Sequence, residues 1–353
     1  MINSIQIIGS KGSGGAERFC ARIINSLAEK SSVTAINPPN SAVSELINPT
    51  ISQLHLPMLC NLDFYTGFRI RRIALKNSPA IIQTYMGRST RLTHIPQGKG
   101  LVHIARLGAY YNLENYRHAH HLIGISKGIC DYLLEGGFPA GRVHYIGNFV
   151  EPVTAPPQDE LNSLRDNLGI HKDAFVIACA ARFHEVKGLP DLLNAFATVL
   201  GNAPEARLIL IGDGPLANEI RTQIQSLNIE HAVILPGWCD PAPYYHLADL
   251  VTNTSRSEGL GNSMLEAWAC AKPLVATATP GASGLITHGK TGLITPLGNP
   301  GALAQAFTKL MNDPELRASL ASAGAHMINS QFSKEVITSE YLNLYEELLT
   351  RAQ

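Results

Sequence analysis

Short apolar runs alternate with helix-like segments along almost the whole chain, and this alternation occurs twice. The first set of apolar runs is SIQIIG, SVTAIN, AIIQTY, GLVHIA, HLIGIS and RVHYIG, and the second is FVIACAA, RLILIG, AVILPG, DLVTNT, PLVATA and GLITP. Continuous apolar strands separated by helices are typical of parallel sheets covered by helices on both faces. Residues 152–160 (PVTAPPQDE), which lie between the two sets, contain three prolines and indicate a connector. We therefore predict an α/β protein with two doubly wound domains, residues 1–152 and 153–335, and a C-terminal helix at about 336–353 that packs back on the first domain.

The composition excludes several functional classes. The chain has 353 residues, which is enough for two domains of ordinary size, and 28 basic residues balance 28 acidic ones. A chain without an overall basic field does not favour a nucleic-acid partner. The six cysteines are scattered without a C-x-x-C pair, as is typical of reduced thiols. The start MINSIQIIGS does not resemble a signal peptide, and no apolar run reaches about 18 residues. We therefore expect a cytoplasmic protein that does not span a membrane.

The stretch SRSEGLGNSMLEAWACAKP (255–273) carries two glutamates, Glu258 and Glu266, separated by seven residues. We predict a loop from Glu258 to Gly261 and a helix that starts near Asn262 as its N-cap. Backbone amides at the positive end of a helix bind phosphate, and the two carboxylates can accept hydrogen bonds from hydroxyl groups. The pattern therefore favours a phosphorylated sugar as ligand. An ordinary solvent-exposed helix start is the alternative interpretation.

A glycine-rich loop, GSKGSGGAERF (9–19), follows the first apolar run. It fails the dinucleotide fingerprint, because Glu17 stands where the third glycine is needed, and it lacks the lysine of a P-loop. Gly14 and Gly15 would still allow another molecule to approach the backbone at a helix N-terminus. A tight strand-to-helix turn without a ligand remains the alternative.

Three further loops follow runs of the second set. The segment ARFHEVKG places Arg182 and Lys187 beyond a strand end, where a guanidinium and an ammonium suit a diphosphate, although both side chains can equally be surface charges. The turns IGDGP, with Asp213, and LPGW, with Gly237, can line a nucleobase through their backbone. Asp213 can alternatively cap the helix that follows it.

Taken together, these motifs resemble those of retaining glycosyltransferases of the GT-B fold, in the group called glycosyltransferase family four. The resemblance covers essentially the whole chain and rests on GSGGAER, ARFHEVKG, IGDGP, LPGW, HGKTGLI and above all SRSEGLGNSMLEAWACAKPLVAT. It implies two Rossmann-like domains that face a cleft, the N-terminal one on the acceptor side and the C-terminal one binding a nucleotide-diphosphate sugar, most commonly a UDP-sugar. It also implies retention by attack on the face from which the nucleotide leaves, without an assigned nucleophile, a catalytic metal or a cofactor.

The resemblance assigns roles to individual residues. Arg182 and Lys187 would hold the donor diphosphate and stabilise its charge as the glycosidic bond breaks. Glu258 would bind sugar hydroxyls beside the reacting centre, and Glu266 would bind the ribose. The remaining donor-binding positions are Gly14, Gly15, Gly259, Leu260, Gly261, Asn262, Asp213 and Gly237.

The sequence also departs from the family pattern. Many members have a histidine at the end of the fifth N-terminal strand, where this chain has Arg106, with His103 three residues earlier. Gly284 replaces a glutamate that many relatives carry. We expect His103, Arg106 and Tyr110 on the acceptor side; Tyr110 lies in GAYYNLENY, which can stack on a sugar or fill the core. VHIARLGAYYNLENYR and IIQTYMGRSTR resemble a bacterial subgroup that makes lipopolysaccharide and other surface glycans, whose lipid-linked acceptor is built on the inner membrane.

The segment FYTGFRIRRIALK (64–76) bears on membrane contact. In a helix, Arg69, Arg72 and Lys76 would form one stripe beside Ile70, Ile73 and Leu75. Such a helix can rest on anionic lipid at the cytoplasmic face of the inner membrane, or it can simply pack on the sheet.

Two other functions remain open. A nucleotide-sugar epimerase can share the GT-B architecture, and a non-catalytic nucleotide-sugar binding protein would need no catalytic partner in the cleft. An epimerase acts on the donor alone, whereas transfer requires an acceptor. The failed fingerprint at Glu17 disfavours a nicotinamide dehydrogenase.

Overall fold

The computed structural model describes residues 2–12, 14–151 and 153–352. The chain forms two compact units, which we call unit 1 (residues 1–148 and 334–353) and unit 2 (residues 149–333). The division between the units falls after Asn148. The sequence predicts a boundary after Pro152, a residue that lies outside the described ranges.

Unit 1 contains a parallel sheet of seven strands in the order β3-β2-β1-β4-β5-β6-β7. Its strands are β1 Asn3–Ile8, β2 Ser32–Asn37, β3 Ser52–His55, β4 Ala80–Tyr85, β5 Leu101–Leu107, β6 His121–Gly124 and β7 Val143–Tyr145. Its helices are α1 Gly15–Ala28, α2 Ala42–Leu46, α3 Phe64–Lys76, α4 Met86–Leu92, α5 Lys127–Glu135 and the C-terminal α14 Lys334–Ala352.

Unit 2 contains a parallel sheet of six strands in the order β10-β9-β8-β11-β12-β13. Its strands are β8 Val176–Ala180, β9 Arg207–Ile211, β10 Val233–Gly237, β11 Leu250–Asn253, β12 Leu274–Thr277 and β13 Leu293–Thr295. Its helices are α6 Gln158–Asn167, α7 Leu189–Asn202, α8 Ala217–Ser226, α9 Ala242–Leu247, α10 Asn262–Ala269, α11 Pro280–Leu285, α12 Pro300–Asn312 and α13 Pro314–Gln331.

The predicted α/β class with two parallel sheets is confirmed, and each apolar run quoted above forms a strand. Among the strands of the described residues, β3 is the one that no apolar run predicts. This strand lies at the edge of its sheet and has the sequence SQLH, whose side chains are mostly exposed. An edge strand that buries little apolar surface has a weak hydrophobic pattern, which is why no apolar run marks β3 in the sequence.

Buried polar side chains fix α14 to the centre of the unit 1 sheet. The Tyr345 hydroxyl donates to Gln83 Oε1 at 2.7 Å and accepts from Gln6 Nε2 at 3.2 Å, and the Tyr85 hydroxyl donates to Gln6 Oε1 at 2.8 Å. Because these groups are buried, each lost partner would leave an unsatisfied polar atom. The network therefore explains why a helix at the end of the chain belongs to unit 1.

Histidines are concentrated around β5, β6 and β7. The ring of His103 is fully buried and lies 5.7 Å from the ring of His118, and His121 Nδ1 lies 3.1 Å from His144 Nε2. Burial lowers the pKa of His103 well below its ordinary value. Burial, together with the neighbouring His144, lowers the pKa of His121 to about 4. The folded protein therefore favours neutral histidines here.

Unit 1 should lose stability when the pH falls below the ordinary histidine pKa of about 6.5. The unfolded chain then binds protons that the folded histidines resist until the pH approaches about 4, so the free energy of unfolding decreases between these values. We expect the melting temperature of the full chain to be at least about 3 °C lower at pH 5 than at pH 7.5. The variant His121→Asn should reduce this pH dependence, and His326→Gln, at an exposed position, should leave it unchanged. A melting temperature that is constant over this range would contradict the assignment.

None of the helices in the described ranges is both long enough and apolar enough to cross a lipid bilayer.

Candidate functional site

Two neighbouring parallel strands of unit 2, β8 and β11, position the central residues of the site. Their register pairs Leu250 with Ile177 and Val251 with Ala178. Because the strands are parallel, the loops that follow them leave the same edge of the sheet, where open α/β sheets bind ligands. The loop after β8 contains Arg182 and a 3₁₀ turn, Glu185–Lys187, and the loop after β11 contains Glu258.

The backbones of these two loops are bonded to each other. The Arg256 N–H donates to the Val186 carbonyl at 2.7 Å, and the Thr254 hydroxyl donates to the Lys187 carbonyl at 3.0 Å. Gly188 allows this approach, since it has φ +61° and a Cβ at its position would lie 2.2 Å from the Thr254 carbonyl oxygen. No side chain fits that gap, so the contact fixes Lys187 relative to the second loop.

Replacement of Gly188 by alanine should destabilise unit 2. The added Cβ must push the two loops apart, and alanine also has to adopt a left-handed conformation. We expect the free energy of unfolding to fall by about 2 kcal/mol or more, measured by urea denaturation. Gly201→Ala is the matched control, because a Cβ there meets no atom within 4 Å. Equal stability of the two variants would contradict this account.

Lys187 and Glu258 form an ion pair at the loop junction. Lys187 Nζ lies 2.5 Å from Glu258 Oε2, and the two side chains are 22% and 18% exposed. The Ser255 hydroxyl donates to the same carboxylate oxygen at 2.8 Å. The pair is therefore oriented by a third group and still reaches solvent. An ammonium and a carboxylate held in this way can bind a phosphate and a hydroxyl group of one ligand.

The helix after Glu258 differs in one detail from the prediction. Helix α10 begins at Asn262 and its N-cap is Gly261, so the prediction that Asn262 is the N-cap was wrong. Gly261 adopts φ +79°, a conformation that glycine tolerates better than asparagine does, which places the cap one residue earlier. Gly259 and Leu260 are buried, with the Leu260 side chain in the core, and Glu266 lies half-buried in the second turn of α10.

The turns after β9 and β10 adjoin the β8 loop. The Phe183 N–H donates to the Asp213 carbonyl at 2.8 Å, and the Gly212 N–H donates to the Gly237 carbonyl at 2.9 Å. The Asp213 carboxylate accepts from the Gly214 N–H at 2.7 Å, whereas α8 begins only at Ala217 with Leu216 as its N-cap. Asp213 therefore does not cap that helix, because its side chain is engaged within its own turn. Arg182, which precedes Phe183 in the β8 loop, is exposed.

The glycine-rich loop belongs to unit 1. Helix α1 begins at Gly15 with Gly14 as its N-cap. The buried Glu17 carboxylate lies within the loop, where Oε1 accepts from the Ser10 hydroxyl at 2.5 Å and Oε2 would lie 3.0 Å from a Cβ on Gly14. The chain's own negative charge thus occupies the positive end of α1, and a phosphate there would have to displace the Glu17 side chain.

The residues expected on the acceptor side lie in unit 1 and are mostly enclosed. His103 is fully buried and its Nε2 lies 3.1 Å from the Thr84 hydroxyl. Arg106 is also buried; its Nε donates to the Tyr341 hydroxyl at 2.9 Å, and its guanidinium lies 4.1 Å from the Phe19 ring centroid. Both side chains are enclosed in this structure, and their assignment to the acceptor side stays a prediction. Tyr110 is half-buried.

Several supporting residues of the site were not predicted from the sequence. They are Ser255, which contacts Glu258, and the ion pair between Arg256 and Asp191, with 3.0 Å between Nη2 and Oδ2. A hydroxyl three residues before a carboxylate is a local signal that can be recognised in a sequence. The pair of Arg256 and Asp191 joins residues 65 positions apart, so only the fold reveals it.

The comparisons with known proteins agree with this geometry. The family model for "Glycosyl transferases group 1" matches residues 162–327. The lipopolysaccharide core biosynthesis glycosyltransferase LpsE of Rhizobium meliloti is 30% identical over 336 residues, which cover 94% of this chain and 95% of that protein. The crystal structure of Anabaena HepE in complex with UDP superposes with a TM-score of 0.85 at 20% identity, over 98% of this chain and all of that one. A second HepE structure, with UDP-glucose, gives a TM-score of 0.82 at 21% identity and covers 99% of each chain.

The likeness to HepE concerns the fold, and it confirms the predicted GT-B architecture for the two parallel-sheet units. The likeness to LpsE is closer in sequence and extends over nearly the full length of both chains. Together with the family match over most of unit 2, it shows that the chain belongs to the group 1 family of glycosyltransferases.

Proposed function

We propose that this glycosyltransferase moves a sugar from a UDP-sugar to a glycan or glycolipid acceptor in the synthesis of lipopolysaccharide or another surface polysaccharide. The observation that carries the proposal is the solvent-accessible ion pair of Lys187 and Glu258 at the carboxyl edge of the unit 2 sheet. LpsE and a second R. meliloti protein, LpsD, which is 29% identical to this chain over 338 residues, are both named as lipopolysaccharide core biosynthesis glycosyltransferases. The HepE complexes with UDP and UDP-glucose support a UDP-sugar donor.

The leaving group of such a reaction is a nucleoside diphosphate, whose negative charge increases as the glycosidic bond breaks. Lys187 supplies a positive charge that the β8 loop and Gly188 hold in place, and the exposed Arg182 can add a second. Charges that are already positioned where charge develops lower the barrier without having to reorganise. We therefore assign Lys187 and Arg182 to the diphosphate.

Glu258 is assigned to the hydroxyl groups of the donor sugar. Its contacts with Lys187 and Ser255 hold the carboxylate next to the ammonium that would bind the diphosphate. A sugar attached to that diphosphate would therefore lie against this carboxylate. Glu266 is assigned to the ribose, and the start of α10 and the turns at Asp213 and Gly237 are assigned to the rest of the donor. The assignment of Gly14 and Gly15 to the donor rests on the family resemblance alone, and it would require Glu17 to move.

We further propose that the product keeps the anomeric configuration of the donor and that transfer needs neither a metal nor a cofactor. Support comes from the motifs quoted above and from the two basic side chains assigned to the leaving group. Proton NMR of the product would reveal its anomeric configuration. Transfer that is unchanged by EDTA would agree with a metal-independent reaction, and restoration of lost activity by Mg²⁺ or Mn²⁺ would contradict it.

A donor screen followed by a transfer assay tests the function. The full chain should be stabilised against thermal unfolding by UDP more than by GDP or ADP. It should then consume a UDP-sugar in the presence of truncated lipopolysaccharide and release UDP. Conversion of the donor to another UDP-sugar without an acceptor would instead identify an epimerase, and binding without turnover on a broad acceptor panel would identify a binding protein.

A further inference from the structure

The segment from Leu59 to Lys76 presents an unusual surface on unit 1. Six of the thirteen exposed large hydrophobic side chains among the described residues fall within it, and Phe64 and Phe68 are 83% and 63% exposed. We call this surface the α3 surface; its apolar members are Leu59, Leu62, Phe64, Tyr65, Phe68 and Leu75. Single exposed hydrophobic residues are common, but a contiguous group of them indicates an interaction site.

Helix geometry explains why these side chains remain exposed. The buried face of α3 is formed by Thr66, Ile70 and Ala74, which pack toward the sheet. At about 100° per residue, Phe64, Phe68 and Leu75 fall within roughly 40° of one another on the other side of the helix. The helix therefore has one apolar stripe for the core and a second one that faces solvent.

The loop before α3 is held against the helix. The Asp63 carboxylate accepts from the Leu59 N–H at 3.1 Å and from the Thr66 N–H at 3.0 Å. The first of these bonds holds Leu59 beside the first turn of α3, and the Phe64 N–H, which donates to the Leu62 carbonyl at 2.9 Å, holds Leu62 there. The exposed apolar group is therefore part of the folded structure, and its loop residues are already ordered for contact with a partner.

Positive charges surround the same stripe. The α3 surface contains four exposed basic residues, Arg69, Arg71, Arg72 and Lys76, and Asp63, which caps the helix, is the only acidic residue in the segment. The whole chain has balanced charge, so this positive field is local. The Arg69 Nη1 donates to the Tyr65 hydroxyl at 2.9 Å, which places a guanidinium next to an aromatic ring.

We propose that the α3 surface docks unit 1 onto an anionic lipid bilayer. Exposed aromatic and leucine side chains can enter the interfacial region of a bilayer, while arginines and lysines on the same helix face bind lipid phosphates. The buried apolar area and the electrostatic attraction to anionic lipids both add to the strength of such binding. A second copy of the chain fits this surface less well, because two such basic surfaces repel each other.

Vesicle co-sedimentation of the full chain, without any sugar donor, tests the proposal, so it can fail independently of the proposed function. Vesicles of phosphatidylcholine with phosphatidylglycerol should bind the protein at least about tenfold more tightly than pure phosphatidylcholine vesicles. High salt should weaken this binding, because the lipid charges are then screened. Equal binding to both vesicle types, or no binding to either, would overturn the proposal.

Two variants locate the contact. Arg71→Glu with Arg72→Glu should weaken binding to the anionic vesicles at least about tenfold, and Phe64→Ser with Phe68→Ser should also weaken it. The control, Lys30→Glu with Lys127→Glu, makes the same change in charge at exposed positions of unit 1 and should bind like the wild type. An equal loss in the control would overturn the proposal. A dimer seen by sedimentation velocity and abolished by the phenylalanine variant would also overturn it, in favour of a second copy.

Discussion

Lys187→Ala should lower kcat by about 10²- to 10³-fold, the usual loss when a group that stabilises charge in the transition state is removed. The same variant should bind UDP about tenfold to a hundredfold more weakly, because a charge-assisted hydrogen bond to phosphate is lost. Isothermal titration calorimetry with UDP and initial rates with a saturating donor measure the two effects separately. Both kcat and the affinity for UDP should be reduced, because the diphosphate that Lys187 is proposed to bind is present in the ground state and in the transition state.

The control for Lys187 is Lys172→Ala, an exposed lysine of the same unit. It should change neither kcat nor UDP affinity by more than about twofold, since a single distant surface charge contributes little. Unchanged UDP affinity in Lys187→Ala, in a protein that melts like the wild type, would rule out the diphosphate assignment. It would leave Lys187 as a structural partner of Glu258.

Glu258→Gln should separate catalysis from nucleotide binding. The amide oxygen can still accept from the Ser255 hydroxyl, but the negative charge beside Lys187 is lost. We expect kcat to fall by about 10²- to 10³-fold, because the carboxylate no longer acts on the donor sugar at the reacting centre. Affinity for UDP, which lacks the sugar, should be retained or increased, since Lys187 then has no competing anion within the pair.

Glu185→Gln is the matched control for this second variant, because Glu185 is exposed in the 3₁₀ turn that contains Lys187. Its kcat should stay within about twofold of the wild type. A kcat of Glu258→Gln that equals the control would contradict the assignment of Glu258 to the sugar. A parallel loss of UDP affinity would show instead that the carboxylate mainly positions the Lys187 ammonium.

The sequence alone supports the proposed phosphate contacts of Arg182 and Lys187 only in part. The motif ARFHEVKG predicts both residues beyond a strand end, but it does not distinguish a diphosphate site from ordinary surface charges. The structure pairs Lys187 with Glu258, 71 residues further along the chain, and leaves Arg182 exposed. The sequence alone does not reveal the pair of Lys187 and Glu258, because a contact between two distant loops depends on which strands are neighbours in the sheet.

The surroundings of Arg106 could not be predicted from the sequence. Its position near the end of β5 suggested a contact with the acceptor, but its guanidinium lies in the interior of unit 1 between Phe19 and Tyr341. Tyr341 belongs to α14, at the far end of the chain. A buried arginine is acceptable only where such partners surround it, and no local pattern reveals a partner 235 residues away.

The sequence by itself determined the α/β class, the two parallel sheets, nearly all their strands and the motifs that mark the family. These properties follow from hydrophobic periodicity and short-range turn chemistry, which act between residues close in the chain. Only the tertiary structure decided that β8 and β11 lie side by side, that Lys187 therefore meets Glu258, and that Arg106 is enclosed under α14. Strand order and helix docking are set by the burial of surfaces that are distant in the chain, and that information is spread over many residues.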